Sequence, residues 1–253
     1  MSWLTAALNS SVGKKCVMGG TGLFLCFFLV IHLAGNLLLY AGAESYNHYA
    51  DALHSNVPFL IVAEGLLYTA FVLHIYLAIS TNRSNHAARG RGYAQKQTKR
   101  EDRTVNVFGW TPDTTMFVTG SIVLAFIIIH LNDFRFPVIG RSLTAEMSPF
   151  DKAAFLMGSS IRGAVYIGGC LVLGVHVSHG LQSAFQSLGL NHPKYTPLIK
   201  YASWVFAFIV AIGFSSFALW GISMRGKVTP PDEVAPAAPD DGDVHPHPHP
   251  EQK

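Results

Sequence analysis

Residues 17–40, VMGGTGLFLCFFLVIHLAGNLLLY, run for 24 positions without an Asp, Glu, Lys or Arg. As a helix rising 1.5 Å per residue this stretch is about 36 Å long, enough to cross a hydrocarbon layer of about 30 Å. Four further stretches of similar character follow at roughly 59–80, 115–134, 161–182 and 201–222. Backbone donors and acceptors find no water in lipid, so such segments must satisfy them internally as helices. The reading is an all-α integral membrane bundle of five transmembrane helices. Half of the 253 residues are hydrophobic and 13% are charged, against about a quarter charged in soluble domains. Too little polar sequence remains to cover five such helices in a water-soluble fold.

Most of the Lys and Arg residues gather between the spans. Arg83, Arg89, Arg91, Lys96, Lys99, Arg100 and Arg103 gather between spans two and three, Lys14 and Lys15 precede span one, and Lys194 and Lys200 lie between spans four and five. The loop between spans one and two has no Lys or Arg, and the loop between spans three and four has only Arg141 and Lys152, with Arg135 and Arg162 at its edges. The positive-inside rule therefore places the N-terminus in the cytoplasm and the C-terminus outside, and the expected location is the inner (cytoplasmic) membrane. Beside membrane spans a basic loop speaks of topology, not of nucleic acid. Residues 1–16 are mixed in character, and span one is too long for a cleaved signal, so it is expected to be retained. Cys16, Cys26 and Cys170 match neither a metal site nor a disulfide framework and read as packing residues.

Residues 1–225 form the membrane domain. The polar loop 81–114 is expected along the membrane surface or under a partner. Within 41–58, AESYNHYADALH has the spacing of a short interfacial helix with Tyr46, Tyr49 and His54 at the headgroups. Residues 226–253 are rich in Pro, Asp and Ala and end with His245, His247 and His249 alternating with proline. Such a tail cannot bury a core and reads as disordered.

Four histidines lie inside apolar spans: His32, His74, His130 and His176, one in each of four consecutive spans. Ionisable groups at membrane depth are costly and commonly functional. Neutral imidazole ligates haem iron, and helical bundles supply axial ligands from facing helices. With span midpoints near 28, 70, 125 and 171, each histidine lies roughly 6–8 Å past the centre of its span. Spans one and three run outward, spans two and four inward. His32 and His130 therefore share an outer level, and His74 and His176 an inner one, separated by roughly 14 Å. Two stacked bis-histidine b-type haems need this arrangement, which makes the four histidines candidate iron ligands.

Gly22 and Gly120 each lie ten residues before the histidine of their own span, hence about 15 Å inward, near the inner level. A missing side chain there would let the inner haem approach the backbone; the alternative is close helix packing. His179 shares a face with His176 but falls nearer the cytoplasmic boundary, suited to a haem propionate or to water. His176 is the better-placed ligand.

With these residues in view, the chain resembles the cytochrome b membrane subunit of succinate:quinone oxidoreductases, in the di-haem, single-anchor type. The resemblance covers about residues 10–222 and rests on SSVGKK before span one, FLVIHLAGNLLLY with ESYNHYADALH, FVLHIYLA, IIIHLNDF and GVHVSHGLQSAFQSLG. It implies pairing of His32 with His130 and of His74 with His176, which the depths suggest separately. It implies succinate oxidation or fumarate reduction on a flavoprotein subunit with bound FAD, joined to the anchor by an iron–sulfur subunit on the cytoplasmic side. The chain itself has no glycine-rich dinucleotide motif and no cysteine cluster, in keeping with an anchor. The implied roles are docking, electron transfer through two b haems and exchange with a membrane quinone, usually menaquinone. The assembly implied is a heterotrimer, with pairing into a dimer of heterotrimers as an option.

The remaining polar groups in the spans fit that setting. Glu64 lies ten residues outward of His74, at the level of the outer pair, where a carboxyl would serve as proton donor or acceptor at a quinone site, or else hydrogen-bond to a neighbouring helix or pair with Arg162. Asp133 would line the same outer pocket or face water. Arg162 would neutralise haem propionates, and Tyr166 would pack on the outer ring. Two other classes stay open: a haem b anchor of a hydrogenase or formate dehydrogenase, and a transporter or sensor whose histidines relay protons.

Overall fold

The computed structural model describes residue 7 and residues 10–88, 112–139, 144 and 146–228. Among them are seven helices and no strand: α1 Ser11–Asn36, α2 Ala43–Ser55, α3 Val57–Ala88, α4 Pro112–Phe134, α5 Pro149–Gly158, α6 Ser160–Ser187 and α7 Thr196–Ser223. Five of them, α1, α3, α4, α6 and α7, are long and apolar enough to cross a membrane. They carry large apolar side chains on their outer faces, with Ile61 65% and Phe208 67% exposed. Apolar surface on this scale is suited to lipid contact and foreign to a soluble monomer. The chain is a multi-pass membrane protein.

Local chemistry sets the helix ends. The Ser10 hydroxyl caps α1 by accepting the Gly13 N–H at 3.0 Å, satisfying one of the first turn's orphan donors. Asn56 caps α3 in the same way, accepting the Phe59 N–H at 3.2 Å. At its other end α1 tightens into a 3₁₀ turn, Leu37–Ala41, and the chain reverses at Gly42, whose φ of +99° suits a residue without a Cβ.

α6 is the hub and packs on α7, α1 and α4, while α1 packs on α3. The seam between α6 and α7 is close because Gly174 offers no side chain there: a Cβ would stand 2.7 Å from that of Ala211. α3 and α4 meet over only a few residues. At the end of the bundle away from the start of α1, hereafter the far side, α2 and α5 cover the spans. There Leu39, Phe150, Ala153, Met157 and Phe217 form a buried cluster. The end where α1 begins is called the N-side.

The short helix predicted after span one forms as α2, but Tyr46 and Tyr49 do not point to headgroups. Tyr46 is half-buried against the far-side cluster, and its hydroxyl donates to Asn36 Oδ1 at 3.3 Å. Burial, and then the neighbouring Tyr49, push its phenol above the usual range. The Tyr49 ring lies against Gly35. Only His54 of the three is exposed. The region before span four was read as loop, yet it holds α5. Ser148 caps this helix, with Pro149 in its first turn and the Asp151 N–H donating to the Ser148 hydroxyl at 3.1 Å. The basic loop beyond residue 88 up to residue 111, Arg141, and the tail from residue 229 with its three histidines lie outside the described residues.

Candidate functional site

Of the four intramembrane histidines, His32 and His130 stand ring to ring, and His74 and His176 lie within electrostatic reach of each other. On the N-side, His74 of α3 faces α1. Thr21 Oγ1 lies 3.2 Å from its Nδ1, and a Cβ on Gly22 would stand 3.3 Å from its Cε1. His176 of α6 meets α4 through the same joint, with Thr119 Oγ1 at 3.2 Å from its Nδ1 and a Gly120 Cβ at 3.2 Å from its Cε1. The two imidazoles are within electrostatic reach of each other. The joint is written twice in the sequence: Thr21-Gly22 stands before His32 at the same spacing as Thr119-Gly120 before His130.

On the far side, the His32 and His130 rings stand 5.8 Å apart, centroid to centroid, with planes at 82°. Aromatic rings surround them. Phe28 stacks on His32 at 5.2 Å and Phe214 lies at 5.6 Å, while Phe134 and Tyr166 approach His130 at 5.3 and 6.0 Å. The polar neighbour of His32 is Asn36, whose amide donates to the His32 carbonyl at 2.8 Å.

One turn beyond His130, the buried carboxylate of Asp133 forms an ion pair with Arg162 of α6. It also accepts the Tyr166 hydroxyl at 3.0 Å. This network edges a far-side cavity of about 400 Å³, whose lining includes Asn132, Ala154, Leu156 and Arg225. Arg225 closes its rim by donating to the Gly158 carbonyl at 2.8 Å.

Several sequence expectations change in detail. Glu64 does not pair with Arg162. It pairs with Arg135, accepting from Nε at 2.7 Å and Nη2 at 2.8 Å, because Arg162 is engaged by Asp133. This bidentate pair bridges α3 and α4 where those spans scarcely meet. Asp133 lines the far-side cavity, as one of its two readings expected, with its carboxylate engaged by a guanidinium and a phenol. Tyr166 packs edge-on against His130. Gly22 and Gly120 lie at the N-side level, each beneath a histidine ring of the neighbouring span. His179 is directed to α7, 6.3 Å from Trp204, leaving His176 to face α4. Thr21 and Thr119 carried no weight in the sequence reading, although the repeated Thr-Gly-x9-His spacing was there to mark them.

The far-side pair could hold a metal ion between its two rings. With metal–imidazole bonds of about 2 Å on either side and the ring centroids about 1 Å further out, two imidazoles on opposite faces of one metal ion stand roughly 6 Å apart. The far-side pair has that spacing. Among the described residues no group of three or more His, Cys, Asp or Glu side chains gathers.

The class of protein defined here is a multi-pass helical membrane protein with two intramembrane histidine pairs. No protein-family model, no curated protein and no solved structure matches the chain.

Proposed function

We propose that this chain is the di-haem cytochrome b membrane anchor of a succinate:quinone oxidoreductase, passing electrons between a cytoplasmic iron–sulfur subunit and a membrane quinone. The observation that carries the reading is the meeting of four histidines from four spans as two pairs at two depths. A haem held by each pair supplies one-electron relay chemistry across the hydrocarbon layer. His74 and His176 would hold the haem nearer the cytoplasm, and His32 and His130 the outer one. The apolar interior excludes water from both, and the aromatic rings around His32 and His130 fix their orientation.

In this reading the N-side, with Lys14, Lys15 and the basic loop, faces the cytoplasm and receives the iron–sulfur subunit. That subunit is itself docked to a flavoprotein subunit that oxidises succinate or reduces fumarate. The quinone reacts at the outer level. Reduction takes up two electrons and two protons, and a proton-exchanging group must stand within hydrogen-bond reach of the quinone oxygen. Glu64 is our candidate: it lies where α3 and α4 barely meet, at a seam open to a lipid-soluble substrate, and its side chain is 25% exposed. Arg135 would orient the carboxyl and balance its charge.

Purification of the intact complex tests the whole reading. A flavoprotein and an iron–sulfur protein should accompany the chain, with succinate-reducible b-type absorbance. Hydrogenase or formate dehydrogenase subunits in their place would assign the anchor to another respiratory enzyme. Glu64→Gln should keep both haems and succinate–dye activity while losing most quinone-linked turnover; normal quinone turnover would make Glu64 a structural partner of Arg135.

A further inference from the structure

We infer that Thr21 and Thr119 are the positioning residues of the N-side histidine pair: each hydroxyl accepts the Nδ1–H of the imidazole on the neighbouring span and so presents Nε2 as the iron ligand. This rests on the haem reading above and adds to it which ring nitrogen binds and what holds it there. A threonine hydroxyl owns one proton, and in both joints the helix's own carbonyls lie within reach to take it. Thr21 Oγ1 lies 3.0 Å from both the Val17 and the Met18 carbonyl oxygens. Thr119 Oγ1 lies 2.7 Å from the Thr115 carbonyl oxygen and 3.3 Å from that of Met116. What remains for the ring is an oxygen lone pair, so the nitrogen facing it carries the hydrogen. The Met18 carbonyl, which can only accept, also faces the His74 ring.

The bond has two consequences. It fixes the ring's rotation, since the glycine beside each threonine leaves just enough room for the Cε1–Nδ1 edge of the imidazole to approach the helix. It also makes the imidazole a more basic ligand, because the hydrogen bond draws Nδ1–H away from the ring. A more basic ligand favours ferric over ferrous iron. His32 has an asparagine amide near its Nδ1 instead, at 3.4 Å, so the two levels are dressed differently. Although Thr21 and Thr119 stand on different spans, they act on one and the same haem.

The test uses the intact complex with Thr21→Val, Thr119→Val, the double variant, and Thr→Ser at both positions. Redox titration of the visible α-band and electron paramagnetic resonance of the ferric haems are the readouts. Each valine variant should raise the midpoint potential of the same haem, the one removed by His74→Ala. The double variant should raise it further, serine should restore it, and the other haem should not move. Retention of that haem during purification should weaken by about 10-fold in the valine variants, and its outright loss in valine but not serine variants has the same meaning. Unchanged potentials, shifts of two different haems by the two valines, or equal effects of valine and serine would overturn the inference. Absence of any b-type spectrum from the parent complex would instead overturn the haem reading beneath it.

Discussion

The two ends of the bundle hold their histidines by different means. On the N-side each ring meets one hydroxyl and one glycine of a neighbouring span, and the His74 ring does so in a region of α1 and α3 with few buried residues. On the far side the rings sit in an aromatic cage, backed by the buried Asp133–Arg162–Tyr166 network and covered by α2 and α5. The N-side joint is therefore specific and thin, the far-side setting redundant and thick. A single lost contact on the N-side should alter the site more than the fold, and a lost contact on the far side the fold more than the site.

The largest expected effect comes from the ligands themselves. His74→Ala or His176→Ala should halve the haem content by removing one and the same component, and His32→Ala or His130→Ala should remove the other. A pyridine haemochrome assay with redox titration checks this; retention of both haems in His176→Ala with loss of one in His179→Ala would reassign the ligand.

Next is Asp133→Asn. Breaking a buried ion pair costs about 3–5 kcal/mol, and the 35% exposure of Arg162 brings the expectation down to about 2 kcal/mol. The thermal midpoint of the detergent-solubilised complex should fall clearly while the N-side haem keeps its potential. A stable variant with a disturbed N-side haem would reverse the contrast between the two ends.

Gly22→Ala and Gly120→Ala should do the opposite. Alanine gains about 1 kcal/mol of helix propensity over glycine, which offsets the crowding of a Cβ 3.2–3.3 Å from the ring. The melting midpoint should stay level while the N-side ring shifts by a few tenths of an ångström and its ferric spectrum changes. A drop in stability with an unchanged spectrum would make these glycines helix-packing residues alone.

The smallest effect is expected from charge reversals at Lys14, Lys15, Lys96 or Lys99. Exposed ion pairs contribute about 1 kcal/mol or less each, so single reversals should loosen the soluble subunits only partly, and several together should release them with haem content intact. Membrane attachment that survives all of them would move the docking surface elsewhere.

The five spans were legible because long uncharged stretches admit one solution in lipid, and the helix rise per residue put the histidines at two expected levels without coordinates. What escaped depends on how helices are rotated against one another. Glu64 could meet Arg162 or Arg135 by depth alone; the facing of α3 and α4 chose Arg135. Thr21 and Thr119 look like ordinary small polar residues of a membrane helix until α3 and α6 bring imidazoles to them. α5 carries a capped helix start in Ser148, Pro149 and Asp151, but its ten residues are too few to show as a membrane span. Tyr46 and Tyr49 suited an interface by type, but the turn at Gly42 folds them back onto α1.

The most direct test of the account is the number of haems in the purified complex, titrated potentiometrically and normalised to this chain. Two b-type haems per chain with separate midpoint potentials are expected, since one pair is tied by hydroxyls and the other caged by aromatic rings. A single haem per chain, or none, would contradict the assignment of His32, His74, His130 and His176 as two axial pairs.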